Sequence, residues 1–296
     1  MTKITLLDGG MGQELIHRAG DRPTPLWSTQ VMVDHPGMVE GVHADFFAAG
    51  ATIATTNSYA IHRDRIEDTE VAGQFEALHA AALAEAKAAQ IAHGSGQIAG
   101  AIGPLGASYR PDLHPAPEIA VPLFAEVAKT LSEDCDLLIL ETVASVAHAR
   151  DALAAARVTS LPVWLSLTVS DTDGTCLRSG EPLDDVLKIA GGADAVLINC
   201  SAPEAVTQGL PIISGLGKPF GGYANAFELI TEDFLKEKPT VDALKARRDM
   251  GPRAYAGYVM EWVSQGATIV GGCCEVSPEH VAEIARRLQA AGHTIV

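Results

Sequence analysis

Eight short apolar runs rich in β-branched residues recur along this chain, most of them followed by a stretch with helical patterning. That alternation restricts the fold more than any other feature. The runs are Ile4 to Asp8, Thr52 to Asn57, Gln97 to Ile102, Leu137 to Glu141, Val163 to Thr168, Ala195 to Asn199, Phe220 to Tyr223 and Thr268 to Val270. They end near Gly, Pro, Asn or Asp, residues that break strands. Helical patterns fall at about Met38 to Ala49, Asp68 to His93, Pro117 to Ser132, Ser145 to Ala156, Leu183 to Ile189, Pro203 to Ser214, Pro252 to Gln265 and Pro278 to Ala291. Ser277 suits the cap of the last helix and Pro278 its first position, with His280 standing where a capping box would carry Glu or Gln. Eight such units in 296 residues fit one (β/α)8 TIM barrel spanning 1–296 better than two doubly wound domains. Asp8-Gly-Gly-Met-Gly-Gln lacks the Gly-x-Gly-x-x-Gly spacing, which argues against a dinucleotide site. The charged segment Glu228 to Arg248, with Pro239 inside it, is expected to run over one mouth of the barrel.

Composition narrows the class of partner. A net charge of −16 disfavours nucleic acid and anionic membrane surfaces. No apolar run reaches the roughly 18 residues of a membrane span and no secretory leader is evident, so a cytoplasmic protein is expected. Five cysteines are too few and odd in number for a secreted disulfide framework, which leaves metal binding or reactivity as their reading.

In a barrel, chemistry collects where the strands end at their carboxyl side. The residues there are polar: Asp8 after the first strand, Asn57 and Tyr59 after the second, Glu141 and Thr142 after the fourth, Asn199 and Cys200 after the sixth, Tyr223 and Asn225 after the seventh, and Cys273 and Cys274 after the eighth. Cys200, Cys273 and Cys274 supply the three protein ligands of a catalytic Zn²⁺ site with its fourth position open. Gly271 and Gly272 are expected to let the backbone bend so that both neighbouring thiols point inward. A substrate thiol at the open position would stay ionised at neutral pH. The competing readings are a set of small buried hydrophobes and a vicinal Cys273–Cys274 disulfide. Cys135, at the far end of the fourth strand, is read as a core residue, and Cys176 as incidental.

The ordered motifs Leu-Leu-Asp-Gly-Gly-Met-Gly (6–12), Leu-Trp-Ser (26–28), Thr-Asn-Ser-Tyr (56–59), Gly-Pro-Leu-Gly (103–106), Glu-Thr (141–142), Ile-Asn-Cys (198–200) and Gly-Gly-Cys-Cys (271–274) resemble, nearly end to end, the homocysteine S-methyltransferase family. The resemblance implies that Cys200, Cys273 and Cys274 hold zinc and that homocysteine sulfur completes the tetrahedron. It also implies that Asp8 and Glu141 grip the homocysteine ammonium group, that backbone N–H groups around Met11 and Gly12 receive its carboxylate, and that Trp27 and Tyr59 flank the methyl donor. Asn57, Tyr223 and Asn225 are further candidates for substrate contact. The expected substrates are homocysteine and a small onium donor, S-methylmethionine or another sulfonium ahead of betaine or S-adenosylmethionine, in a monomer or small homo-oligomer.

Two stretches depart from the family pattern. Glu275-Val276-Ser277-Pro278 stands where relatives often have Gly, Arg or Lys and then Thr-Thr-Pro, and Tyr223-Ala224-Asn225 where Tyr-Pro-Asn is common. Both border the site without removing a ligand. The rivals to the family reading are a zinc methyltransferase for another thiol and a non-catalytic zinc- or sulfur-binding barrel.

Overall fold

A computed structural model of the chain describes residues 1–21, 24–230, 235 and 244–296. Its strands are β1 (Lys3–Leu6), β2 (Ile53–Thr55), β3 (Gln97–Ile102), β4 (Leu137–Val143), β5 (Val163–Leu167), β6 (Ala195–Asn199), β7 (Phe220–Tyr223), β8 (Ile269–Val270) and β9 (Thr294–Ile295). Pairing is parallel throughout, from β2 to β8 in sequence order, then to β1 and β9. Thr52 N donates to Leu6 O at 2.7 Å and Leu7 bridges Ile53, so the ring closes between β1 and β2 as a (β/α)8 barrel. β9 adds to the start of β1 through Lys3–Thr294 and Ile4–Ile295.

The helices are α1 (Met11–Ala19), α2 (Ser28–Asp34), α3 (Met38–Ala48), α4 (Arg63–Ile66), α5 (Phe75–His93), α6 (Pro117–Leu131), α7 (Val146–Ala156), α8 (Asp184–Leu187), α9 (Pro203–Ser214), α10 (Pro252–Ser264) and α11 (Pro278–Ala290). Four of them, α6, α9, α10 and α11, open on proline. Its missing N–H is an orphan at that position and its fixed φ suits the first turn. Before α11, His280 takes the capping-box role usual for Glu or Gln: Ser277 N donates to His280 Nδ1 at 3.2 Å. That assigns the proton to Nε2, which donates to Met250 O at 3.1 Å. No described helix is long and apolar enough to cross a membrane.

Both faces of the strands are apolar, as a sheet sandwiched between side chains inside and helices outside requires. Leu137, Ile139, Ala195, Leu197, Ile53 and Ile269 pack inside the barrel. Their neighbours Leu138, Leu140, Val196 and Ile198 point outward to the helices. The alternation follows from the two-residue period of a strand.

Expectation and structure differ at the second helical pattern. A helix was expected from Asp68, but α5 begins at Phe75, preceded by a turn and a short 3-10 segment at Ala72–Gln74. Thr69 Oγ1 donates to Ile66 O at 2.7 Å, closing a local turn that competes with helix, and Gly73 lowers propensity further. α1, α2, α4 and β9 were not anticipated. Of the expected excursion from Glu228 to Arg248, residues 231–234 and 236–243 lie outside the described residues. Its two ends meet in a ladder, Glu228 N to Lys245 O and Arg247 N to Ala226 O, both 2.8 Å.

One strand contact explains a glycine. A Cβ at Gly221 would lie 1.6 Å from Ile269 O on β8, whereas one at Gly217, which has φ +64, would meet nothing within 4 Å. Gly221→Ala should therefore destabilise the protein by more than about 3 kcal/mol, because the obstruction is backbone and cannot move. Gly217→Ala should cost only about 1–2 kcal/mol of left-handed strain. Urea unfolding of the two variants checks the contrast, and equal losses would refute it.

Candidate functional site

The strand ends at the carboxyl side of the barrel surround a cavity of about 540 Å³. Cys200 follows β6, and Cys273 and Cys274 follow β8, with β7 between. Their sulfur atoms lie within 4.8 Å of one another. In this structure Cys200 and Cys273 are joined as a disulfide while Cys274 is a free thiol, so the bond is not the vicinal one weighed from the sequence. Burial pushes the Cys274 thiol up to about 12, which keeps it protonated unless a cation compensates the thiolate. Three convergent soft donors on a cavity wall fit a thiophilic metal ion, and a disulfide between two of them excludes that ion from the same sulfurs.

The cysteine loops are held from several sides. Cys200 N donates to Tyr223 O at 3.3 Å and Cys273 N to Ala224 O at 2.9 Å. Tyr255 OH, from α10, bonds Ala224 O at 3.0 Å and Gly271 O at 2.9 Å. Arg178 forms a bidentate pair with Asp171 at 2.9 and 2.7 Å and also donates to Cys200 O at 3.3 Å. Neither Tyr255 nor Asp171 stood out in the sequence, since nothing local marks a buttress. The glycines before the cysteines have another purpose than the expected bend: a Cβ at Gly271 would lie 2.5 Å from Leu7 Cβ, and one at Gly272 2.0 Å from Val276 Cγ1. Close packing against β1 and the returning loop requires them.

Two carboxylates at strand ends line the cavity. Asp8, 2% exposed, accepts from Thr55 N at 2.7 Å and from Thr55 Oγ1 at 2.9 Å. Glu141 Oε1 accepts from Tyr223 OH at 2.8 Å. Desolvation raises Asp8 to about 8, with the charge of Glu141 adding to the shift, and raises Glu141 to about 7. Among the described residues neither carboxylate forms an ion pair with a basic side chain, so no protein cation offsets their desolvation.

Glu141 is aimed by strain. β4 bulges between Leu140 and Val143, and Thr142 adopts φ 55, a conformation disfavoured for a β-branched residue. Asn199 holds it there: its Oδ1 accepts from Thr142 N at 3.0 Å and Ser166 Oγ at 2.9 Å, and its Nδ2 donates to Thr142 Oγ1 at 3.1 Å. Four further non-glycine residues with positive φ, Trp27, Tyr109, Cys200 and Glu275, lie in or beside the site, where such strain commonly collects.

The opposite wall is aromatic. Trp27 and Tyr59 meet edge to face with centroids 6.0 Å apart. Trp27 Nε1 donates to Gln13 Oε1 at 3.0 Å, and Gln13 Nε2 donates to Glu275 Oε1 at 2.7 Å, so the residue after Cys274 tethers the indole. Gly12 must lack a side chain, because a Cβ there would enter the Trp27 ring at 2.2 Å. Tyr59 OH pairs with Ser108 Oγ at 2.8 Å, and burial pushes the phenol up to about 12.

The remaining sequence candidates divide. Asn57 lines the cavity with its Nδ2 donating to Ser28 O at 3.2 Å. Met11 lines it too, but its N–H is already donated to Gly9 O at 2.9 Å, which leaves Gly12 as the amide of that pair to receive an anion. Asn225 is not among the lining residues; its Oδ1 accepts from Phe227 N at 3.1 Å, shaping the turn after β7. Cys135 is buried and Cys176 is half-exposed beside Asp173.

A barrel whose rim joins a thiol cluster, paired carboxylates and an aromatic wall is built as an enzyme for small charged molecules. A model of the homocysteine S-methyltransferase family matches residues 5–288. The homocysteine S-methyltransferase of Escherichia coli (strain K12) is 32% identical over an alignment of 310 positions that covers 96% of this chain and 95% of that one. The crystal structure of the homocysteine methyltransferase MmuM from Escherichia coli in its metallated form has a TM-score of 0.79 at 28% identity and covers 96% of both chains. Its oxidized form has a TM-score of 0.79 at 27% identity, with the same coverage. The chain belongs to the homocysteine S-methyltransferase family.

Asn199 offers a test of how the site is built. Asn199→Leu removes three buried hydrogen bonds and should cost about 2–4 kcal/mol in urea unfolding. A loss below about 1 kcal/mol would mean that Thr142 holds its conformation unaided.

Proposed function

We propose that this protein transfers a methyl group from a small onium donor to homocysteine, forming methionine, with S-methylmethionine or another sulfonium preferred over betaine or S-adenosylmethionine. The observation that carries the reading is the convergence of three thiols on a cavity where two strand-end carboxylates, Asp8 and Glu141, pair with no basic side chain among the described residues. Cys200, Cys273 and Cys274, in their reduced form, would hold a zinc ion. When bound, the zinc keeps the acceptor thiol ionised at neutral pH, so no separate general base is needed.

The protein's own groups do the positioning. Asp8 and Glu141 take the homocysteine ammonium, Tyr223 orients Glu141, and the Gly12 amide at the start of α1 receives the carboxylate, favoured by the helix dipole. Asn57 fixes the loop beneath the aromatic wall through Ser28. Trp27 and Tyr59 offer ring faces to the onium charge, an attraction worth about 0.5–2 kcal/mol. The sulfur and the methyl carbon are then brought together in one enclosed volume, where orientation replaces a bimolecular encounter.

Methionine formation from homocysteine should be measured across sulfonium and ammonium donors, with zinc quantified on the same reduced sample. Cys200→Ser and Cys273→Ser should lose zinc and turnover together. Full turnover by a zinc-free variant would reject the mechanism, and bound zinc without methyl transfer from any donor would favour a non-catalytic barrel.

The carboxylate pair gives a pH signature. Methionine, which carries the same ammonium head without an ionisable thiol, should bind more tightly as pH rises through about 7 and about 8, where Glu141 and Asp8 ionise. The sign follows because an ammonium stabilises the ionised acids. In the ligand-free protein the same raised values lower stability as pH climbs from the ordinary carboxylate range, since the folded state retains protons that the unfolded chain has released. Asp8→Asn should flatten the binding profile in calorimetry; an affinity independent of pH in the wild type would remove the ammonium role.

A further inference from the structure

Arg65 is the only Lys or Arg among the described residues that line the cavity, where Asp8, Asp64, Asp68, Glu70 and Glu141 supply the acids. Its neighbours in α4 are spoken for. Arg63 holds Glu126 through Nε and Nη2 at 2.7–2.9 Å and reaches Glu76 at 2.7 Å. Asp64 Oδ2 accepts from Gly106 N at 2.6 Å. These contacts pin the short helix against α5, α6 and the loop after β3. Arg65 has a different situation. Its hydrogen bond to a carbonyl, Pro104 O, is long at 3.4 Å, and its guanidinium stands 5.9 Å from the centre of the Tyr59 ring. Among the described residues no carboxylate lies within ion-pair distance of it. The segment is thus fixed in place while its one inward-facing cation keeps most of its five donors open, a fork whose shape matches a carboxylate.

The position says which carboxylate. Tyr59 is within ring-contact range of both Arg65 and Trp27, so Arg65 adjoins the aromatic wall, whereas the residue packed against Gly12 in the first turn of α1 is Trp27. An onium carbon resting on that wall would direct the rest of the donor toward the guanidinium. We propose that Arg65 receives the carboxylate of the methyl donor and thereby selects onium compounds that carry one. This inference rests on the methyl-transfer reading above and adds to it the feature by which the donor is recognised.

The test compares S-methylmethionine with its methyl ester as donors at saturating homocysteine, using the zinc-loaded wild type, Arg65→Met and Arg65→Lys. In the wild type, kcat/KM should favour the free acid by roughly 10- to 100-fold, the range of a hydrogen bond to a charged group. Arg65→Met should lose that preference by acting on the free acid alone, leaving the ester and the homocysteine KM unchanged, and Arg65→Lys should restore part of it. Equal losses on both donors would mark a structural role and overturn the proposal, as would a rise confined to the homocysteine KM, which would assign Arg65 to the acceptor. Should Arg65→Met fail to fold, the wild-type preference and Arg65→Lys decide the matter. A wild type that uses acid and ester equally well sinks this inference alone; one that makes no methionine from homocysteine with any donor sinks the parent reading with it.

Discussion

Two consecutive carbonyls at the end of β7 organise the site. Tyr223 O accepts from Cys200 N and Ala224 O from Cys273 N, so the loops after β6 and β8 are both registered on the strand between them. Cysteines separated by 73 residues become neighbours because the ring is closed and because this strand is short and glycine-rich. Tyr255 secures the arrangement from the helix layer with one hydroxyl that bonds both Ala224 O and Gly271 O. A family proline at position 224 would leave the carbonyl in place, so Ala224 keeps the contact that matters, while Asn225 is absorbed in the turn rather than in the cavity.

Charge accounts for the other half of the site. The chain is strongly acidic, yet the acids that matter are the two drawn out of water, Asp8 and Glu141, each raised chiefly by desolvation. Holding them charged costs stability when no cation is present, a cost that the ammonium ligand proposed above would offset. Arg65 is the complementary case, a cation lining the same cavity with no carboxylate in ion-pair distance among the described residues. The cavity therefore carries buried acids at the strand ends and a single lining cation, Arg65, among the described residues.

The strand pattern was legible because apolar β-branched runs are a local property, and β3, β6, β7 and α9 have the bounds their sequence suggests. The three cysteines could be placed together because barrel closure converts strand order into proximity. What the sequence hid is whatever depends on partners far along the chain. Asn199 reads as a polar strand end, and only the bulge at Thr142 shows it to be a clamp. Gly272 reads as a hinge, and only Val276 shows it to be a space. Met11 offers an amide that Gly9 already takes. Arg65 fell inside a span adjoining an overlong helix expectation, where a local turn at Thr69 and the ion pairs of Arg63 set its direction.

In the proposed reaction, acceptor and donor would be served by different parts of the fold. The thiols come from β6 and β8 and the two carboxylates from β1 and β4, all on strand ends fixed by the ring. The aromatic wall and Arg65 come from segments after β1 and β2, which the ring does not dictate. A hydrogen-bond chain joins the two halves: Glu275 follows Cys274 with φ 65, and its carboxylate holds Gln13, which holds the Trp27 indole. A Gly there supplies no acceptor, and a Lys or Arg supplies a donor facing a donor, so Gln13 would have to turn its amide or release Trp27. The departure from the family pattern after the cysteine pair thus bears on the aromatic wall proposed to face the methyl donor, although it lies beside the thiols proposed to activate the acceptor.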